Sequence, residues 1–437
     1  MKHLLSLALA GWVGLYGVFR PAEAAFSVKS AREQLVIGDR WLAERLRTVL
    51  PELMRREKID MWLVICREYA EDPVYLSLVP SITLSAQHLS MLVFFDRGAE
   101  GIERLVVSPN GFEPLYRRVW DEERRDPWAL LARVVEERQP RRIGVDVSAD
   151  TSFGDGLSAS LHDKLKIVLG AKWASRLVSA QKLAVGWLER RTPDEVAAYT
   201  DVVSLTHQII ALAFSRALII RDRTTAGDVA WWMYDYIQKV GLRNSFYPYV
   251  DVQRPGYTPR REENPVIRGG DLLHCDVGLV YLKLRSDVQQ LAYVLKEGET
   301  DAPQGLKDAL AKGNRAQDIL TGEFAVGRSG YDMWASARAK AAAEGLQALI
   351  YSHPIGIHGH GAGPFIGLWT PPEGPIPGAA YFSLFPDTCF AVELSVRVPV
   401  AEWNGQIVRI ALEEDAIFGA SGISYLDGRQ TQLLLVK

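Results

Sequence analysis

The sequence predicts two mixed domains: an α/β domain over residues 25–185 and an α+β domain over residues 186–437. Three observations predict this. At 437 residues the chain exceeds what one hydrophobic core ordinarily organises. From about residue 35 to 180, short apolar runs alternate with helically spaced ones, the pattern of helices layered on a sheet. After Thr192, paired helices are followed by apolar runs broken by carboxylates and glycines, which read as an antiparallel sheet covered by helices.

In the first domain the spacing of Trp41, Leu42, Leu46, Val49, Leu50, Leu53 and Met54 predicts a helix over 36–58, with Pro51 inside it. Strands are expected at 61–66, 91–95, 105–107 and 143–147, and a charged helix at 127–137. No glycine fingerprint for phosphate follows any of these strands, which argues against a nucleotide site and for a structural or oligomerising role. The second domain opens at Thr192-Pro193-Asp194-Glu195, a capping box with proline at the first helical position, and this helix should run to about Ile220. Helices then follow at 225–241, 305–322 and 331–348, and strands at 389–396, 407–412, 416–418 and 431–436.

Composition narrows the functional classes. The chain is 48% hydrophobic and 24% charged with a net charge of -3, so neither nucleic acid nor an anionic membrane is an expected partner. Lys2 and His3 precede an apolar run from Leu4 to Phe19 and then Ala22-Glu23-Ala24, the layout of a secretory signal peptide over residues 1–24. An uncleaved anchor is the alternative. The mature chain is therefore expected to start near Ala25, in a periplasm or outside the cell, with no membrane contact after cleavage. Cys66, Cys275 and Cys389 are odd in number and sit in apolar runs, so no disulfide framework is implied.

The chemistry is concentrated in the second domain. Leu272 to Val277 reads as a strand, Gly278 as a turn, and Leu279, Tyr281 and Leu284 as the returning strand. Asp276 interrupts the first strand, and Asp287 can face it across the ladder. Two carboxylates that close share either a proton or a cation. Glu393 lies in the apolar run Phe390–Val396, Glu413-Glu414-Asp415 ends another, and Gly356-Ile357-His358-Gly359-His360-Gly361-Ala362-Gly363 is dense enough in glycine for close backbone approach. Singly each has a bland reading: Glu393 paired with Arg397 or Arg409, His360 a core hydrogen-bonder, Glu414 exposed. Together, two Asp, two Glu and one His embedded in apolar strands suit a pair of Mn, Co or Zn ions.

In that order (Asp276, Asp287 eleven residues on, Gly359-His360-Gly361-Ala362-Gly363, Glu393 in a strand, then Glu414-Asp415) the chain resembles the pita-bread metallopeptidase family of methionine aminopeptidase, Xaa-Pro aminopeptidase, prolidase and creatinase. Gly270-Asp271 before the first ligand fits that pattern, and Leu188 to Glu195 resembles the helix that opens the fold in the creatinase and prolidase branch. The resemblance implies a creatinase-like N-terminal domain and a pita-bread catalytic domain. It implies that Asp276 chelates one metal, Asp287 bridges both, His360 and Glu393 complete the second, and Glu414 is the other bridge. Glu413 is the lesser alternative there, because the family's Glu is followed by Asp. The implied cofactors are two divalent ions, manganese first and cobalt or zinc next. A water of lowered pKa between them would attack a scissile carbonyl, and Glu393 would carry its proton to the leaving amine. His358 is a catalytic and substrate-contacting candidate, and His353 and Trp369 are substrate-binding candidates. Trp369, Tyr381 and Trp403 could wall a proline pocket or simply pack. A homodimer is implied by resemblance alone.

The sequence also departs from the pattern. No histidine lies in Tyr249–Arg268, Gly367 stands seven positions after His360 where a second histidine is expected, and Gln290 stands three after Asp287 in place of arginine. The expected function is an exported dinuclear hydrolase that cleaves short Xaa-Pro peptides. The alternatives are a creatinase-like amidinohydrolase or other small-molecule enzyme on the same scaffold, and a non-catalytic binding module.

Overall fold

The structure is a computed structural model that describes residues 28–123, 125–257, 263–367 and 378–437. The expected signal peptide, residues 1–24, and Trp369 lie outside the described residues.

Helix α1 (Ala31–Arg56) begins five residues before its apolar periodicity, because Ser30 and Glu33 close a capping box that supplies its first amide partners. It carries Pro51 inside. The chain continues through β1 (Met61–Arg67), β2 (Leu89–Asp96), β3 (Ile102–Val107), β4 (Arg117–Val119), α2 (Pro127–Arg138), β5 (Ile143–Val145), α3 (Ala159–Ala174), β6 (Leu177–Ser179) and α4 (Gln181–Glu189). The strands form one sheet in the order β4-β3-β2-β1-β5-β6. Strand side chains alternate between its faces. Trp62, Val64, Leu92 and Phe94 pack with Leu46, Leu50 and Leu53 of α1 and Trp187 of α4. Met61, Leu63, Met91 and Val93 pack with Leu131 and Val135 of α2 and Leu165 of α3. The α/β layering expected from the sequence is present.

The expected strand over 143–147 stops at Val145. Asp146 leaves the ladder, and its Oδ1 accepts from Trp62 Nε1 at 2.8 Å. It is fully buried beside Asp72, with one oxygen of each carboxyl unpartnered. Burial pushes the Asp72 carboxyl up to about 6 and the Asp146 carboxyl well above its ordinary range. A carboxyl whose folded pKa is raised contributes stability in acid that is lost as pH rises through that value. Asp72→Asn keeps the shape without the charge. The variant is expected to be more resistant to unfolding than the parent by on the order of 1–2 kcal/mol at pH 8, and equal to it at pH 4. Denaturant titrations at the two pH values check this; an equal effect at both would contradict it.

The two domains meet at a buried ionic junction. Thr192 and Glu195 form the capping box of α5 (Pro193–Ala213), with Pro193 at its first position. Glu195 is also bridged by Arg45 of α1 at 2.9 Å and by Arg191 at 3.5 Å, all three groups buried. This helix is long and apolar enough to cross a membrane, but Tyr199, Val202, Val203, Ile209 and Ile210 are buried in the core of the second domain. It ends at Ala213, short of the expected Ile220.

Next come α6 (Ala226–Lys239), β7 (Tyr249–Gln253), β8 (Leu272–Val277), β9 (Val288–Val294), α7 (Gln304–Thr321), α8 (Gly330–Ala343), β10 (Gln347–Ile355), β11 (Ile366–Gly367), β12 (Thr388–Val400) and β13 (Gln406–Gly419). Strand β10 replaces the expected tail of α8. Gly345, at φ +71°, stops the helix in the left-handed conformation that glycine adopts without penalty. The main sheet runs β11-β10-β12-β13-β9-β8-β7, and Leu434–Val436 pairs with β9. Helices α5 and α6 cover Cys275, Val277, Val288 and Ala292. Helices α7 and α8 cover Phe390, Val392, Leu394, Ile410 and Leu412. Polar residues of the opposite parity in these strands turn to the other face. All three cysteines are free and buried.

Candidate metal centre

The aspartate pair is held differently from the expected hairpin. After β8 the chain leaves the main sheet through two short strands, Leu279–Tyr281 and Leu284–Arg285, which pair with each other. It returns as β9 with Val288 opposite Val277 and Gln289 opposite Asp276. Asp276 therefore faces Gln289 across the ladder, and Asp287 sits just ahead of β9, diagonal to it. Asp287 is fixed there by its own amide, which donates to Asp415 Oδ2 at 3.1 Å.

Strand β13 carries Glu413-Glu414-Asp415 in its middle, since the two strands expected at 407–412 and 416–418 are one. Its register with β12 is unbroken from Thr388–Phe418 to Val400–Gln406, which places Glu413 opposite Glu393. Alternation then sends Glu414 to the far face, a correction to the expectation that Glu414 and not Glu413 faces the other carboxylates. Glu414 accepts from His207 Nε2 at 2.7 Å, Gln290 Nε2 at 3.1 Å and the Gln430 amide at 3.0 Å. Burial alone would lower the His207 pKa, but its hydrogen bonds to Glu414 and Asp427 outweigh that and bring it to about 9. His207 gave no sequence signal, because its partner lies two hundred residues away.

The histidine that reaches the carboxylates is His353, in the unforeseen strand β10. Its Nε2 lies 3.4 Å from Glu413 Oε1, 3.9 Å from Asp287 Oδ2 and 3.9 Å from Glu393 Oε2. Its Nδ1 faces the Pro354 carbonyl at 3.0 Å, and a carbonyl can only accept. That bond fixes the proton on Nδ1 and turns the Nε2 lone pair into the carboxylate group, the orientation a metal-ligating imidazole takes. Burial holds the imidazole pKa down, to about 3. His360, expected among the ligands, is exposed instead, with its ring edge-on to His353 at 4.5 Å. It stands seven residues after His353, so the position that Gly367 leaves vacant when counted from His360 is filled when counted from His353. The His358 ring packs against the Phe153 ring of the first domain, with centroids 4.9 Å apart.

Asp276, Asp287, Glu393 and Glu413 thus converge with one imidazole. Burial and their mutual repulsion push Asp287, Glu393 and Glu413 well above the ordinary carboxylate range, and burial brings Asp276 to about 6. His353 Nε2, Glu413 Oε1 and Asp276 Oδ1 are buried without partners. Buried acceptors cost free energy unless paired. A cation beside His353 would pair the first two at once. Among the described residues, Asp287, His353 and Glu413 present ligand atoms within 4.8 Å of one another. Carboxylate oxygens with one imidazole nitrogen form a donor set that fits Mn, Co or Zn.

Residues 201–418 match metallopeptidase family M24. Among solved structures, the X-Pro aminopeptidase from Thermotoga maritima MSB8 is similar over 88% of this chain and 100% of its own, with 15% identity and a TM-score of 0.62. The Xaa-Pro dipeptidase from Bacillus anthracis is similar over 90% and 99%, with 18% identity and a TM-score of 0.58. The N-terminal domain of FACT complex subunit SPT16 from Cicer arietinum is similar over 91% and 99%, with 13% identity and a TM-score of 0.55. At these identities the likeness concerns the fold. No curated protein matches the sequence.

Proposed function

Since the chain belongs to metallopeptidase family M24 and is a metal-dependent hydrolase, we propose that it is an exported enzyme cleaving short peptides at an Xaa-Pro bond. The observation that carries this reading is the convergence of His353 Nε2 with Asp287, Glu393 and Glu413 beside Asp276. These residues, with His353 and Glu413 in the places first given to His360 and Glu414, would hold one or two divalent cations. Bound there, such an ion supplies a polarised carbonyl and a water acidic enough to attack near neutral pH.

The chain's own groups supply the rest. Glu393 is only partly buried, unlike Asp287 and Glu413, and can take a proton from the attacking water and return it to the leaving amine. His360, exposed beside His353, is placed to hydrogen-bond the substrate at the mouth. Support for the Xaa-Pro class comes from the solved structures that share the fold, an X-Pro aminopeptidase and an Xaa-Pro dipeptidase. Export rests on the layout of residues 1–24. A second reading, a creatinase-like or other small-molecule hydrolase at the same site, is favoured by one observation: Tyr249–Arg268 contains no histidine.

The test is a substrate panel. The Mn-loaded chain should cleave Xaa-Pro peptides and spare their Xaa-Ala counterparts. Equal cleavage of both, or hydrolysis of creatine alone, would overturn the Xaa-Pro assignment.

A further inference from the structure

The carboxylates lie partway along an open trough. Strand alternation carries their face of the sheet from Glu393 and Glu413, through Ser395 and Ala411, to Arg397 and Arg409, each pair directly opposite across β12 and β13. Gln347 of β10 stands opposite Arg397 on its other side. Helices α7 and α8 cover the reverse face, where Val396, Val398, Val408 and Ile410 are buried. On the trough side Gln347, Arg397, Pro399 and Ile407 are exposed. The sequence offered both arginines as partners for Glu393, and neither takes that place. Arg409 Nη2 donates to Asp251 Oδ2 at 2.7 Å, and Arg397 has no carboxylate partner among the described residues. Asp251 is buried and lies 3.1 Å from His274 Nδ1. His274 Nε2 faces Gln289 Oε1 at 2.9 Å, and Gln289 Nε2 donates to Glu413 Oε2 at 2.8 Å. A buried hydrogen-bonded chain thus fixes Arg409 relative to the carboxylates, and its charge opposes the upward shift of Asp276 and Glu393.

Like charges directly opposite one another destabilise a strand pair, and an anion between them removes that cost. A guanidinium fork matches a carboxylate in geometry as well as in charge. The arginine row stands four residues along the strands from Glu393 and Glu413, about 13 Å at the rise of a strand. A carbonyl over the carboxylates and a carboxylate reached by the arginine side chains are then about three residues apart in an extended peptide. We propose that Arg397 and Arg409 form an anion subsite for a carboxylate about three residues beyond the scissile bond, so that the preferred substrates are Xaa-Pro peptides of tetrapeptide length carrying an acidic group at that place. The group is the C-terminal carboxylate of the tetrapeptide or an acidic side chain on its third residue. This inference rests on the Xaa-Pro reading above.

Matched peptides and the Mn-loaded chain test it. Ala-Pro-Ala-Ala with a free C-terminus should exceed its C-terminal amide in kcat/KM by at least about fivefold, with the difference in KM and shrinking at high salt. The amide of Ala-Pro-Glu-Ala tells the two sources apart: it recovers the advantage if an acidic side chain serves, and does not if the subsite takes the terminal carboxylate alone. Arg397→Gln should raise the KM of the free acid to within about twofold of the amide's, and Arg397→Glu should reverse the preference. Arg397 is exposed and opposes Arg409, so circular dichroism melting should find Arg397→Gln no less stable than its parent; Arg409→Gln is the second variant. Equal kcat/KM for acid and amide in the unmodified chain, or a preference that survives both Arg397 substitutions, would overturn the subsite and leave the Xaa-Pro reading standing. If no Xaa-Pro peptide is cleaved, that reading falls, and calorimetric binding of Pro-Ala-Ala as free acid and as amide decides the subsite by itself. Tighter binding of the acid that is lost in Arg397→Gln upholds it; equal binding, or none, overturns it.

Discussion

Asp287→Ala is expected to lower peptide hydrolysis by at least about three orders of magnitude while the metal-free protein melts no lower than its parent. The two halves of this result have one cause. Asp287 is buried, and the nearby Asp276, Glu393 and Asp415 oppose its ionisation. Removing its carboxyl relieves repulsion in the metal-free state, where a buried unpaired carboxylate is costly. The bond that positions the start of β9 runs from the Asp287 backbone amide to Asp415 and survives the substitution. Added metal, which should raise the melting temperature of the parent, should do so far less in the variant. A variant with full turnover, or one that fails to fold without metal, would contradict this account.

The second large effect separates His353 from His360, which the sequence reading made a substrate-binding candidate and a metal ligand respectively. His353→Ala is expected to reduce the affinity for the first divalent ion by at least about a hundredfold, because Nε2 is the one imidazole nitrogen among the carboxylates within the described residues. His360→Ala should leave metal content unchanged and lower turnover by about one to two orders of magnitude through loss of a substrate hydrogen bond. Metal analysis alongside kinetics checks both. Loss of metal from the His360 variant with retention in the His353 variant would reverse the assignment.

The reason these two were misplaced is physical. The run Ala341-Ala342-Ala343-Glu344-Gly345-Leu346 reads as the end of a helix, and a helical tail reaching 348 overlaps the first residues of the strand. Gly345 ends the helix early, and the freed residues pair with β12 from Gln347–Arg397 to Ile355–Cys389. His353 enters the sheet only through that pairing. Glu413 and Glu414 pose the same problem on a smaller scale. A one-residue shift in a strand exchanges its faces, and only the long register between β12 and β13 decides it. Gln289 escaped notice because a neutral side chain in an apolar strand carries no charge signal.

Other features were local and therefore legible. The capping box at Thr192 opens α5 where expected, and the apolar runs at 61–66 and 91–95 became the two central antiparallel strands of the first domain. Asp276, Asp287 and Glu393 stood out because a carboxylate in a buried strand must be compensated. What local sequence cannot show is which of several polar residues a distant strand will bring to meet them.

These carboxylates and His353 are the groups that would hold a divalent cation. Elemental analysis of the purified protein after loading with Mn2+ and removal of free metal is the sharpest test. About one equivalent per chain should be retained, rising toward two with excess metal and falling to near zero in Asp287→Ala and His353→Ala. A chain that retains no metal at any loading, or variants that hold as much as the parent, would contradict it.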